Sequence, residues 1–163
     1  MEKQNYTTQM DAARKGILTP QMKIVAEKEF MDEKQLMKLV AEGKVAIPAN
    51  KAHKCLNPEG IGSMLRTKIN VNLGVSRDCK DYAIEMEKVM SAVNMGAEAI
   101  MDLSSHGNTQ PFRQKLTSEC PAMIGTVPVY DSVIHYQRDL ATLTAKDFID
   151  VVRLHAEDGV EFV

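Results

Sequence analysis

Asn72, Met101 and Tyr130 stand 29 residues apart, each where an apolar run gives way to a loop. That spacing puts equivalent positions of successive repeats around one rim. Asn72 offers a carboxamide that can donate to and accept from a heterocycle or hydroxyl, and Tyr130 a ring to stack and a hydroxyl to bond. Each also has a structural reading. Asn72 can turn the backbone before Gly74, Met101 can fill the core, and Tyr130 can be a boundary residue with a buried ring and a wet hydroxyl. Asp102, beside Met101, is a general base or, as is commoner, the cap of the loop that follows. No catalytic group is assigned. The four histidines form no constellation: His53 and His106 lie in loops, His135 and His155 on helices, and only His106 falls on the expected rim. The run Pro48 to His53 presents Asn, Lys and His either to an anion or to solvent. Cys55, Cys79 and Cys120 are odd in number and widely spaced, so neither a disulfide framework nor a metal knuckle is visible.

These residues need elements to hold them. Thr19 caps and Pro20 opens a helix that stops near Phe30; Asp32 to Gln35 has capping-box spacing for a second, which Gly43 ends. Val45 to Ile47 reads as a short strand and 49 to 65 as a loop. From Lys68 the rhythm is regular: strand 68 to 73, helix 81 to 95, strand 98 to 103, helix 109 to 119, strand 122 to 129. Thr144 then caps a helix that Gly159 ends, and Val160 to Val163 begins a fourth strand. Alternating units of this kind make a parallel sheet with right-handed crossovers. The fold class is α/β. A helical N-terminal segment and loop (1–66) precedes the first units of a (β/α)8 barrel (67–163), broken off in the fourth strand, because a whole barrel takes roughly 250 residues. In such barrels ligands bind at the C-terminal strand ends, where the rim residues lie.

Bulk properties narrow the partners. With 20 basic and 22 acidic residues well mixed and a net charge of -2, the chain carries no stripe for nucleic acid and no membrane patch. No run approaches the roughly 20 apolar residues of a membrane span, and no leader is visible, which points to the cytoplasm.

Five stretches carry a family resemblance: TTQMDAARKGILTPQMK, AIPAN ending at Asn50, LRTKINVNLG through Gly74, GAEAIMDLS through Ser104 and IGTVPVY through Tyr130. Over nearly its whole length the chain resembles the phosphomethylpyrimidine synthase (ThiC) family. The resemblance implies a radical S-adenosylmethionine lyase with a 4Fe-4S cluster, which rearranges 5-aminoimidazole ribotide into the hydroxymethylpyrimidine phosphate of thiamine biosynthesis. It implies Asn72, Met101 and Tyr130 as substrate-binding residues, with Asn72 and Tyr130 as polar contacts and Met101 packing on imidazole or ribose. A homodimer of the full-length protein is implied too. The family's next substrate histidine, its phosphate-binding segments, its ligands for a divalent metal such as zinc and its cluster cysteines all fall beyond Val163. This chain is therefore expected to be an N-terminal portion, inactive alone. Ser104 to Thr109 and Tyr130-Asp131 depart from the thiamine enzymes toward a paralogue, 5-hydroxybenzimidazole synthase, which makes the lower ligand of anaerobic cobamides. A different class of reading is a non-catalytic remnant that binds ribotide or a partner.

Overall fold

The computed structural model describes residues 5–163, and its chain gathers into two units. One comprises the described residues through Ala49 with Pro58–Lys68; the other comprises Asn50–Asn57 with Ile69–Val163.

The first unit is built on three short helices, α1 (Gln9–Arg14), α2 (Pro20–Lys28) and α3 (Glu33–Ala41). Each starts on a capping side chain. Thr8 accepts from the backbone of Asp11, Thr19 from Met22, and Asp32 from both Lys34 and Gln35, which satisfies amides that the first turn leaves orphaned. Met22, Val25, Leu36 and Val40 recur at helical spacing and are fully buried together, joined by Val45. That strand residue belongs to β1 (Val45–Ala46), which pairs antiparallel with β2 (Ile61–Gly62). Two of these elements depart from expectation. α1 is too short and too polar to show a hydrophobic period, and β2 lies inside the stretch read as loop.

The second unit holds the βα alternation: β3 (Asn70–Leu73), α4 (Tyr82–Asn94), β4 (Ala99–Asp102), α5 (Gln110–Glu119) and β5 (Met123–Thr126). It continues through α6 (Pro128–Tyr136), a 3-10 turn at Leu140–Thr142 and α7 (Ala145–Glu157). The three strands form one parallel sheet in the order β3-β4-β5, and a single parallel bridge from Gly125 to Phe162 continues it. The structure shows a small parallel sheet with alternating helices. Because side chains alternate across a strand, Val71, Leu73, Ile100 and Ile124 share the face that packs on Met86 and Val89 of α4 and Phe112 and Leu116 of α5. Asn72, Met101 and Gly125 share the other.

The third strand is shorter than its apolar run suggests. It ends at Thr126 because Pro128, with no N–H for the ladder and φ already helical, occupies the first turn of α6. The run to Val129 is thus split between a strand and a helix that its periodicity does not announce. The fourth strand amounts to the one bridge at Phe162.

Candidate functional site

Parallel pairing sets Asn72 beside Met101 and Met101 beside Gly125, with Phe162 next in the row. Asn72 is exposed and Met101 half-buried. Gly125 is glycine for a reason of contact. A Cβ there would lie 2.2 Å from the Phe162 ring and 2.7 Å from the Met101 sulfur. The row therefore presents one open carboxamide and, next to it, a thioether and an aromatic ring drawn together over a bare backbone. Beyond it, Gly74 turns at φ +144 so closely under the next loop that a Cβ would meet the Ser104 nitrogen at 2.5 Å.

Tyr130 is placed differently from its spacing. The third-strand partner of Met101 is Gly125, and Tyr130 lies five residues further on, in the first turn of α6, about half exposed. Equal chain spacing equated a strand position with a helical one because the connection between β4 and β5 is shorter than that between β3 and β4.

Asp102 faces the helix layer with Ile100, not the face of Met101. Its carboxylate accepts from the Ser104 backbone at 2.9 Å, and the Ser104 hydroxyl in turn accepts from the Val75 amide. The local cap is what it does. Burial pushes its carboxyl up, against the pull of the Ser104 bonds and the Arg113 charge. Around it Ser104, Thr109, Arg113, Thr126, Asp131 and His155 enclose about 10 Å³, room for roughly one water and no substrate.

Asp131 is the hub of that cluster. It accepts from Thr109 at 2.6 Å, from His155 Nε2 at 2.9 Å and from Arg113 at 3.3 Å. Thr126 meets the other ring nitrogen of His155 at 2.8 Å, and Arg113 also binds Asp158 at 2.9 Å. Burial works against the Asp131 charge, but the His155 and Thr109 bonds and the Arg113 guanidinium outweigh it and hold the carboxyl at about 2. A carboxyl depressed in the folded state stabilises fully above its unfolded value of 3.8 and loses that contribution as pH falls toward about 2. The shift corresponds to about 2 kcal/mol. Unfolding midpoints of the parent chain and Asp131→Asn should therefore converge between pH 5 and 2. Parallel curves over that range would refute the assignment.

In the Pro48–His53 run Lys51 is exposed, while Asn50 and His53 are spent on hydrogen bonds within the second unit. Asn50 Nδ2 donates to the carbonyls of Ala156 and Val160 and so closes the C-terminus of α7. Buried His53 meets only acceptors, Glu161 at 2.9 Å and the Cys120 carbonyl at 2.7 Å. Only an imidazolium satisfies both, and although burial opposes the charge, the Glu161 carboxylate raises the His53 pKa. Glu161 also takes the Ile124 amide at 2.7 Å. No sequence signal marks these partners, which lie 67 to 110 residues from the loop they hold. A separate cavity of about 560 Å³ is lined by Thr109, Gln110, Arg113, Asp131, Val133 and Leu154 among others; none of the three rim residues lines it.

The model of the Radical SAM ThiC family matches residues 8–163. The chain belongs to that family. It is similar to proteins named phosphomethylpyrimidine synthase: 62% identical over 97% of its length to one from Alkaliphilus oremlandii (strain OhILAs), covering 36% of that protein. One from Clostridium botulinum (strain Okra / Type B1) is 60% identical over 98% of this chain and 36% of its own. One from Clostridioides difficile (strain 630) is 58% identical over 98% of this chain and 37% of its own. The chain thus spans somewhat over a third of these relatives.

Membership in the radical SAM ThiC family implies S-adenosylmethionine and an iron–sulfur cluster in the full-length proteins. Such a cluster takes thiolate ligands, and Cys55, Cys79 and Cys120 do not come together as a set of three among the described residues. Burial holds Cys120 protonated, its pKa pushed up to about 11, and raises Cys55 as well; a hydrogen bond to Glu85 raises Cys79. Among the described residues no three His, Cys, Asp or Glu side chains converge as a metal site. Among them, too, no helix is long and apolar enough to cross a membrane.

Proposed function

We propose that the protein carrying this chain is a cytoplasmic phosphomethylpyrimidine synthase, a radical S-adenosylmethionine lyase that rearranges 5-aminoimidazole ribotide into hydroxymethylpyrimidine phosphate. This segment contributes the helical N-terminal part (1–66) and the first units of a (β/α)8 barrel (67–163), which bind ribotide; the cluster and divalent-metal ligands come from elsewhere in the protein, which functions as a homodimer. One observation carries the reading. Asn72 and Met101 are register partners on the sheet face turned away from the helices, at the C-terminal strand ends where parallel βα folds bind ligands. There the Asn72 carboxamide donates to and accepts from the polar edge of the ribotide, Met101 packs against imidazole or ribose, and Tyr130 adds a ring and hydroxyl from the start of α6. Relatives named phosphomethylpyrimidine synthase at about 60% identity support the chemistry.

Of the departures from the thiamine enzymes, Thr109 and Asp131 bond each other in the buried cluster, whereas Ser105, Gly107 and Asn108 are exposed; these loop residues carry the cobamide alternative, which the product decides.

Titrating the full-length protein with 5-aminoimidazole ribotide should give saturable binding, weakened about tenfold in Asn72→Ala, the loss of one good hydrogen bond. Unchanged affinity would remove Asn72 from the site. Anaerobic turnover with S-adenosylmethionine should yield hydroxymethylpyrimidine phosphate; 5-hydroxybenzimidazole as sole product would replace this reading with the cobamide one. Binding without any turnover would leave a ribotide-binding remnant.

A further inference from the structure

Tyr130 has nothing of its own to hold it. About half its surface is exposed, and among the described residues its ring and hydroxyl meet no hydrogen-bond or ring partner. Nor is the start of α6 fixed in the usual way. Val127 stands at the N-cap without a side-chain bond to the first turn, and the Tyr130 amide donates to the Val127 carbonyl at 3.0 Å. The direction of the Tyr130 side chain is therefore inherited from whatever fixes that turn.

The neighbouring residue fixes it. Asp131, about 100° round the helix from Tyr130, points into the layer between α5 and α7. Its two oxygens take three donors from those helices: Thr109, Arg113 and His155. Each donor is itself buried. His155 is held from its far side by Thr126, at the end of β5, and Arg113 by Asp158. The chain of bonds runs from the strand end through α7 and α5 to the first turn of α6. Such a three-point anchor on buried groups, beside buried Pro128 and Ser132, whose hydroxyl donates to the Pro128 carbonyl at 2.7 Å, restricts rotation of the turn that carries Tyr130.

We propose that Asp131 is a positioning residue, which sets Tyr130 for ribotide by clamping the first turn of α6 to α5 and α7. The proposal rests on the reading of Tyr130 as a substrate contact. Asp131 does not touch the ligand; its effect on binding passes wholly through Tyr130.

A double-mutant cycle in the full-length protein, read by 5-aminoimidazole ribotide affinity, tests this. Tyr130→Ala and Asp131→Ala are each expected to weaken binding by about tenfold, and the double variant to be no weaker than Tyr130→Ala alone. Asp131→Asn keeps one acceptor oxygen and puts an amide nitrogen where the other stood, so it loses part of the anchor and should fall between the parent and Asp131→Ala; it carries the same cycle should Asp131→Ala not fold. If the two losses multiply to about a hundredfold, Asp131 acts on binding by another route and the clamp is wrong. Full affinity in the Asp131 variants beside a loss in Tyr130→Ala also overturns it, while leaving Tyr130 in the site. Full affinity in Tyr130→Ala would instead remove Tyr130 from the proposed function, and the clamp with it.

Discussion

Replacing Gly74 by alanine is expected to destabilise the second unit by on the order of 3 kcal/mol, measured as a shift in the urea unfolding midpoint. Two costs add. At φ +144 an L side chain is strained wherever it is placed. The new methyl would also sit 2.5 Å from the Ser104 nitrogen and 2.8 Å from the Leu103 carbonyl carbon, both backbone atoms that cannot rotate away. Gly96→Ala makes the control, because Gly96 has positive φ but nothing within 4 Å of its missing Cβ. It should lose about 1 kcal/mol, the conformational part alone. Should the two variants unfold alike, close backbone approach is not what Gly74 supplies. The site would feel the change as well. Leu103 donates to the Leu73 carbonyl at 2.7 Å in the ladder that aligns Asn72 with Met101, and the Gly74 amide is tied to Glu85 at 3.2 Å.

Arg113→Met should cost about 3–5 kcal/mol, the range for breaking a buried ion pair by removing one partner. The guanidinium is 3% exposed and shared between Asp131 and Asp158, so its loss leaves two mostly buried carboxylates without their cation. Methionine keeps the length and apolar bulk, so the cavity term is small and the charge term is what the experiment reads. Arg113→Lys should recover only part, because an ammonium cannot reproduce the fork that reaches Asp131, Thr109 and Asp158 together. A loss under 1 kcal/mol for Arg113→Met would mean that the carboxylates find water instead.

Much of the second unit can be read from local chemistry. α4 and α7 show apolar faces and glycine stops in the sequence, α7 also a capping box, and the structure keeps them; it adds Asp81 as the cap of α4. β3 and β4 follow from apolar alternation, and their 29-residue offset is the register itself, since Asn72 pairs with Met101. The same count fails at Tyr130 because chain spacing equals register only while successive connections have equal length. β5 comes after a shorter connection, and a proline ends it early. The buried cluster is illegible for another reason. Thr109, Arg113, Asp131, His155 and Asp158 are ordinary polar residues scattered over about 50 positions, and only tertiary packing gives them common partners. The run around Asn50 and His53 misleads in the opposite direction, looking like exposed chemistry and serving as a fastening.

That fastening makes the second unit a discontinuous object. Its last helix is closed by Asn50, and its carboxylate at Glu161 is matched by His53, though 11 residues assigned to the other unit, Pro58–Lys68, intervene before the sheet begins. A polypeptide starting at Ile69 would contain every strand and helix of the βα part and still lack its closing pieces. Gene fusion, circular permutation or domain exchange with a cut at the apparent start of the sheet would inherit an incomplete module. The unit of exchange has to begin upstream of Asn50.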